Sequence, residues 1–266
     1  MQAPNPPLIL IFGPFDPSGS SSLPADTVTC AAMGCHALGT LTAILVRDTA
    51  STEEIQPVSP ELIDDQARCL LEDMTVHAIK VGPLYTTESV SVLAQIAADY
   101  SHVPLVLHLG PAPDESLLEG GDAEDVQLAL FELLLPQTDV AVVDHKLLEQ
   151  WQSEGMFSGM DADTPAQALL DYGAKWVLST GAPLRPGLGS HLLQGRHSET
   201  GSWNRQAPAA RLADADGPLA CAITAQLARG LDVPAAVDAA IALAEPLAGR
   251  TFQPGMGHLL INRSSP

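Results

Sequence analysis

Lysine is nearly missing from this chain. Only Lys80, Lys146 and Lys175 occur, and with the arginines they make 12 basic residues against 32 acidic ones, a formal net charge of −20. So acidic a surface repels phosphodiester backbones and anionic bilayers, which excludes nucleic acid and membrane as expected partners. No apolar run approaches the ~20 residues that a membrane span needs. The opening Met1-Gln2-Ala3-Pro4-Asn5-Pro6-Pro7 carries no basic residue of the kind that begins a signal peptide. A cytoplasmic location is expected. Cysteine is scarce as well: Cys30, Cys35, Cys69 and Cys221 show no C-x-x-C spacing, so reduced thiols are expected. No GxxxxGK phosphate loop occurs, and neither an internal repeat nor a long linker divides the chain.

What is present is a core. Hydrophobic residues make up 46% of 266 positions, enough for one large domain spanning 1–266. The organising unit runs from Leu8 to Gly34: an apolar strand (Leu8 to Phe12), a serine- and glycine-rich loop (Gly13 to Ser22), then a helix from Pro24 to Met33 stopped by Gly34. A loop between a buried strand and a helix N-terminus is a natural ligand site, because the first helical N–H groups lack partners there.

Further strands are expected at Thr40–Val46, Val76–Gly82, Val103–Leu109, Asp139–Val143 and Lys175–Ser179. Helical patterns lie between them at Pro60–Asp73, Thr86–Tyr100, Ala123–Leu135, His145–Trp151 and from Thr164-Pro165 to Gly173. Residues 187–204 alternate in short stretches and suggest an antiparallel hairpin at a sheet edge. Two alanine-rich helices follow, from about Gly217 to Arg229 and from Pro234 to Leu247. Continuous Val/Ile/Leu strands alternating with helices predict a three-layer α/β/α fold with a mostly parallel central sheet.

An ordered series of fragments resembles the hydroxymethylpyrimidine/phosphomethylpyrimidine kinases of the ribokinase-like fold. The stretch from Asp16 to Asp26, DPSGSSSLPAD, is similar to the family's DPSGGAGIQAD loop. Residues 42–49, TAILVRDT, resemble TALTAQNT. Residues 71–73 and 79–84 resemble LED and VKIGML, and 227–231 resemble LARGLS. The resemblance implies a thiamine-pathway kinase that transfers the γ-phosphoryl of ATP, with magnesium, to a pyrimidine hydroxymethyl group or its phosphate. It also implies a homodimer paired through sheet-edge elements. Carried over by position, a substrate pocket would draw on Gly13, Asp16, Ser21, Asp26, Leu45, Arg47, Pro83 and Gly110. A nucleotide site would draw on Asp144, Thr180, Gly181 and Asp216.

The same resemblance exposes departures. The family's GTGC anion cradle falls on Asp214-Ala215-Asp216-Gly217, followed by Pro218. The catalytic side chain falls on Gly217, which has none. Two glycines fall on aspartates, and a like charge beside a phosphate costs about 4 kcal/mol at 4 Å with an effective dielectric of ~20. Pro218 removes a further N–H. The phosphate-contacting lysine of VKGGH falls on Thr180, and the aspartate of VLDPV on His108. In TPNxxE the Asn becomes Asp144 and the Glu becomes Leu147. Ser20 and Ser22 replace two loop glycines, Arg47 replaces a pyrimidine-contacting residue, and Pro83 replaces the pocket Met. The expectation is a fold kept and a phosphoryl-transfer apparatus lost, giving a pseudo-kinase that binds a small ligand of the pyrimidine kind without a firm cofactor. ATP and magnesium belong to the alternative, a working kinase with displaced catalytic groups.

Asp16, His108, Asp144 and His145 fall at predicted strand ends, where they either converge on a metal, with His108 and Asp144 foremost, or pair locally. Local pairing is the stronger expectation. Arg47 either neutralises an anionic ligand or pairs with Asp48 or Asp26. Asp26 is expected in the first helical turn, stabilised by the helix dipole.

Overall fold

The computed structural model describes residues 5–118, 122–158, 160, 162–197, 199–206 and 212–264. The elements run β1 (Leu8–Phe15), α1 (Ser22–Ala32), β2 (His36–Arg47), β3 (Thr52–Pro57), α2 (Pro60–Asp73), β4 (Ala78–Val81), α3 (Thr87–Asp99), β5 (Leu105–Leu109), α4 (Ala123–Ala129), β6 (Val140–Asp144), α5 (His145–Ser153), α6 (Pro165–Tyr172), β7 (Trp176–Arg185), β8 (Leu188–Gly195), β9 (Thr200–Gln206), α7 (Gly217–Leu227) and α8 (Val233–Ala248), with a two-residue pair β10 (Thr251–Phe252) and β11 (Leu260–Ile261). Nine strands form one sheet in the order β3-β2-β1-β4-β5-β6-β7-β8-β9. The six strands from β2 to β7 in that order pair in parallel. Antiparallel pairs add β3 at one edge and the β8–β9 hairpin at the other.

Period-two alternation assigns the faces. Leu10, Phe12, Ile79, Val81, Leu105, Leu107, Ala141 and Val143 belong to the core beneath α2 to α6. Ile9, Ile11 and Ala78 join Cys30, Cys221 and Ala225 beneath α1 and α7, and Val106, Val140 and Val142 pack with α7 and α8. This is the three-layer α/β/α architecture. Polar N-caps fix several helix starts: Ser59 accepts from Leu62 N, Thr86 from Ser89 N, Thr164 from Gln167 N and Asp232 from Ala235 N. Gly34 ends α1 at φ +70°, with Cys35 N bonded back to Cys30 O at 2.9 Å.

Three differences from the sequence reading have physical causes. Strand β3 has no counterpart there; with only Ile55 buried, it reads as a polar connection and becomes a strand through pairing with β2. The helix expected over Ala123–Leu135 is regular only to Ala129. A π turn follows over Leu130–Leu134, and this wider turn lets Leu130, Phe131 and Leu134 all bury. Strand β7 runs past Ser179 to Arg185, because β8 gives its second half a partner.

Candidate functional site

The β1–α1 loop closes on one carboxylate. Asp16 is fully buried and accepts hydrogen bonds from Ser18 N (2.9 Å), Ser18 Oγ (2.6 Å), Ser20 Oγ (2.7 Å), Ser21 N (3.0 Å) and Ser21 Oγ (2.8 Å). Burial by itself would raise its pKa. The Ser18, Ser20 and Ser21 hydrogen bonds and the Arg47 charge outweigh burial and hold it below the ordinary aspartate value. A carboxyl whose folded pKa is depressed contributes stability above its unfolded pKa, and that contribution is lost as pH falls through the folded value. Asp16→Ala should therefore cost about 3 kcal/mol at neutral pH. Asp16→Asn should flatten the acid limb of stability below the unfolded aspartate pKa of about 3.9. Urea titrations at neutral pH and at a series of acid pH values measure both.

Around this loop the structure gathers several of the expected residues. Arg47 Nε lies 3.8 Å from Asp16 Oδ1 and also donates to the backbone carbonyl of Asp48 at 3.4 Å. The partner of Arg47 is thus Asp16, not Asp26. Gly13 lies against the backbone of Leu23 where α1 begins. Leu45 is buried with Ile55 and Leu118 against Tyr85. Pro83, Tyr85, His108 and Gly110 line a small cavity of about 30 Å³, room for a water-sized group. Burial pushes the Tyr85 phenol up to about 12, with Arg47 opposing, so it remains a donor. His108 is lowered to about 4 by burial and then by the Lys80 charge, so its ring is neutral at pH 7.

A second group forms 144–217. Asp144 ends β6 beside Thr180 of β7, and its carboxylate accepts Lys146 N at 2.8 Å, capping α5. Thr180 Oγ1 donates to Asp216 Oδ2 at 2.6 Å, and Arg205 NH1 lies 3.3 Å from Asp216 Oδ1. Asp214 Oδ1 accepts Gly217 N at 2.9 Å, and Arg263 NH2 stands 3.5 Å from its other oxygen. A Cβ added to Gly217 would fall 1.9 Å from Asp214 Oδ2, so this carboxylate fills the space of a side chain at 217. Burial raises the pKa of both aspartates above the ordinary value. Arg263 opposes this at Asp214, and Thr180 and Arg205 oppose it at Asp216. Both carboxylates are partly engaged, Asp144 as a helix cap through Oδ1 and Asp216 by a hydroxyl and a guanidinium. Among the described residues no three His, Cys, Asp or Glu side chains converge on one point. His145 instead meets Ser179 Oγ at 3.2 Å and Glu149 at 3.5 Å.

Asp26 requires a correction. It lies in the second turn of α1, not the first, and points into the protein. Its carboxylate, 2% exposed, accepts Lys80 Nζ at 2.6 Å and the Cys221 thiol at 3.0 Å. Lys80 occupies a core position on β4, on the face beneath α1 and α7. Burial opposes its charge, but Asp26, then Cys221 and Asp214, hold its pKa above the ordinary lysine value. The helix dipole is not what stabilises Asp26; a buried ion pair is.

The phosphomethylpyrimidine kinase family model matches residues 16–262. This chain belongs to that family. The hydroxymethylpyrimidine/phosphomethylpyrimidine kinase of Streptomyces coelicolor is 29% identical over 239 residues, covering 88% of this chain and 86% of the relative. Its counterpart in Mycobacterium tuberculosis is 30% identical over 250 residues, covering 88% and 85%. Among solved structures, the ADP complex of Bacillus subtilis pyridoxal kinase superposes with a TM-score of 0.83 at 19% identity, covering 97% of this chain and 98% of the other. The phosphomethylpyrimidine kinase of Clostridium difficile gives 0.71 at 21%, covering 90% and 98%.

Within this phosphomethylpyrimidine kinase family member, the sequence reading passed over residues that the fold makes central. Arg205 and Arg263 come from β9 and the C-terminal segment to meet the two aspartates. The one available signal was that basic residues are rare in this chain. A cavity of about 590 Å³ has no counterpart in the sequence pattern. It lies between β8, β9, α7 and α8, lined by His191, Asn204, Arg205, Pro218, Leu219 and Glu245 among others. His191 is 2% exposed, its Nδ1 has no hydrogen-bond partner among the described residues, and burial followed by Arg205 lowers it to about 4.

Proposed function

We propose that this member of the phosphomethylpyrimidine kinase family binds a small ligand of the thiamine-pyrimidine type at the Asp16–Arg47 end without efficient phosphoryl transfer. One observation carries the reading: the turn before α7 is filled by its own carboxylates. Asp214 takes the Gly217 N–H, and Asp216 takes the Thr180 hydroxyl and the Arg205 charge. Transfer of a phosphoryl group depends on neutralising its charge with preorganised donors. Here the donors are spent on fixed anions, and no side chain stands at 217. Ligand binding then needs neither ATP nor magnesium. Turnover measured as ADP release with hydroxymethylpyrimidine, ATP and magnesium should fall far below the ~1–100 per second of ordinary kinases. The same pyrimidine should raise the melting temperature, since a ligand at 100 times its Kd adds ~2.7 kcal/mol. Turnover in the ordinary range would overturn the reading.

One observation favours a second reading, an active ATP- and magnesium-dependent phosphomethylpyrimidine kinase. The Asp214 carboxylate occupies the space that a side chain on Gly217 would fill, and burial raises its pKa above the ordinary aspartate value, the direction that makes a carboxylate a better proton acceptor. If that reading holds, Asp214→Asn abolishes ADP release. Under the first reading there is nothing to abolish. Pairing as a homodimer belongs to both readings. Phe15 and Ile44, register partners on β1 and β2, are 47% and 43% exposed and offer an apolar ridge beside the loop.

A further inference from the structure

Away from the turn, a groove of about 450 Å³ runs between the C-terminal end of α1, the last turns of α8 and the C-terminal segment. Its lining contains Arg229, Arg250 and Arg263 and, among the described residues, no acidic side chain. In a chain with 32 acidic and 12 basic residues, three guanidiniums on one concavity make a local reversal of charge. Among the described residues, Arg229 and Arg250 have no carboxylate within ion-pair distance. Arg229 donates to Ala225 O at 2.9 Å and to Met33 O, and Arg250 donates to Ser264 O. These bonds cap helix and chain carbonyls, but they use two of the five N–H donors of Arg229 and one of the five of Arg250. Arg229 also faces the Cys35 thiol, and its other donors, like those of Arg250, have no further partner among the described residues.

We propose that this groove binds a small polyanion, gripped by the Arg229 and Arg250 forks, with oxyanion groups such as phosphate or carboxylate. Planar guanidinium forks match both groups in bidentate fashion. The groove is tied to the turn before α7 by Arg263, which is 7% exposed. Its Nε donates to Thr29 Oγ1 at 3.1 Å, and its NH2 lies 3.5 Å from Asp214. An anion drawing on Arg263 competes with Asp214 for the same charge, so occupancy is linked to the state of the Gly217 N–H. The proposal stands independently of whether the family reaction is retained.

The test is a thermal-shift titration of the full chain with pyrophosphate and, separately, with citrate. Ionic strength is matched with NaCl, because screening by itself favours so acidic a protein. The expected result is a rise of several degrees for at least one anion, lost in Arg229→Gln/Arg250→Gln and kept in Arg205→Gln. The preferred anion tells phosphate from carboxylate recognition. If the double variant fails to fold, Arg250→Gln alone and Arg229→Lys, which keeps the charge but not the fork, should each weaken the shift. No rise in the native chain, a rise that survives the groove variants, or a rise that disappears with Arg205→Gln overturns the proposal.

Discussion

Asp216→Asn should tighten nucleotide binding by up to ~100-fold. Asp216 is the residue from which α7 starts, and under the reading proposed above its carboxylate stands where a nucleotide phosphate would approach. At about 6 Å and an effective dielectric of ~20, a unit charge opposes another by 2–3 kcal/mol, which is roughly two decades in Kd. Asparagine keeps the size of the side chain and can still accept from Thr180, so the fold should tolerate it. The wild-type chain adds a pH signature. The Asp216 pKa is raised by burial, so its charge is lost as pH falls through that value and nucleotide affinity should rise with acid. In Asp216→Asn the corresponding slope should be shallower. Calorimetry with ADP at several pH values measures both. Equal affinities in the two proteins would mean that Asp216 does not guard the site.

Lys80→Met should cost 3–5 kcal/mol, because it leaves the Asp26 carboxylate buried with only the Cys221 thiol for company. For a chain of this size that is a fall of about 10 °C in melting temperature. Removing both charges, in Lys80→Met with Asp26→Leu, should recover most of the loss, since a well-packed apolar pair often replaces a buried ion pair at little cost. The sign with pH follows from the lysine. Its folded pKa is raised, so its contribution is complete below the unfolded value near 10.4 and fades as pH climbs through the folded one. Denaturant melts of the single and double variants form a coupling cycle. A single variant as stable as wild type would show the pair to be idle.

Much of the fold was legible because the parallel strands are continuous apolar runs separated by capped helices. The edges were harder. Strand β3 carries Glu53, Glu54 and Gln56, and nothing local distinguishes it from a loop until β2 lies beside it. At the site, the serine loop could be read because Asp16 finds all its hydrogen-bond partners within five residues. The fate of Asp26 was hidden, since Lys80 lies 54 positions away and Cys221 lies 195 away. The motif reading placed Asp214 and Asp216 correctly at the turn before α7. It did not foresee their arginine partners, which arrive from β9 and from the last residues described.

Helix α7 is buried at every one of its eleven positions, enclosed by α1, α8 and the sheet strands β4 and β5. Such an element has no partial opening short of losing the whole domain, and its amides should be the slowest in the chain to take up deuterium. Its axis is therefore a fixed rail. Substitutions in the turn at its tip can alter which side chains stand there, but they leave the direction of the first N–H groups unchanged.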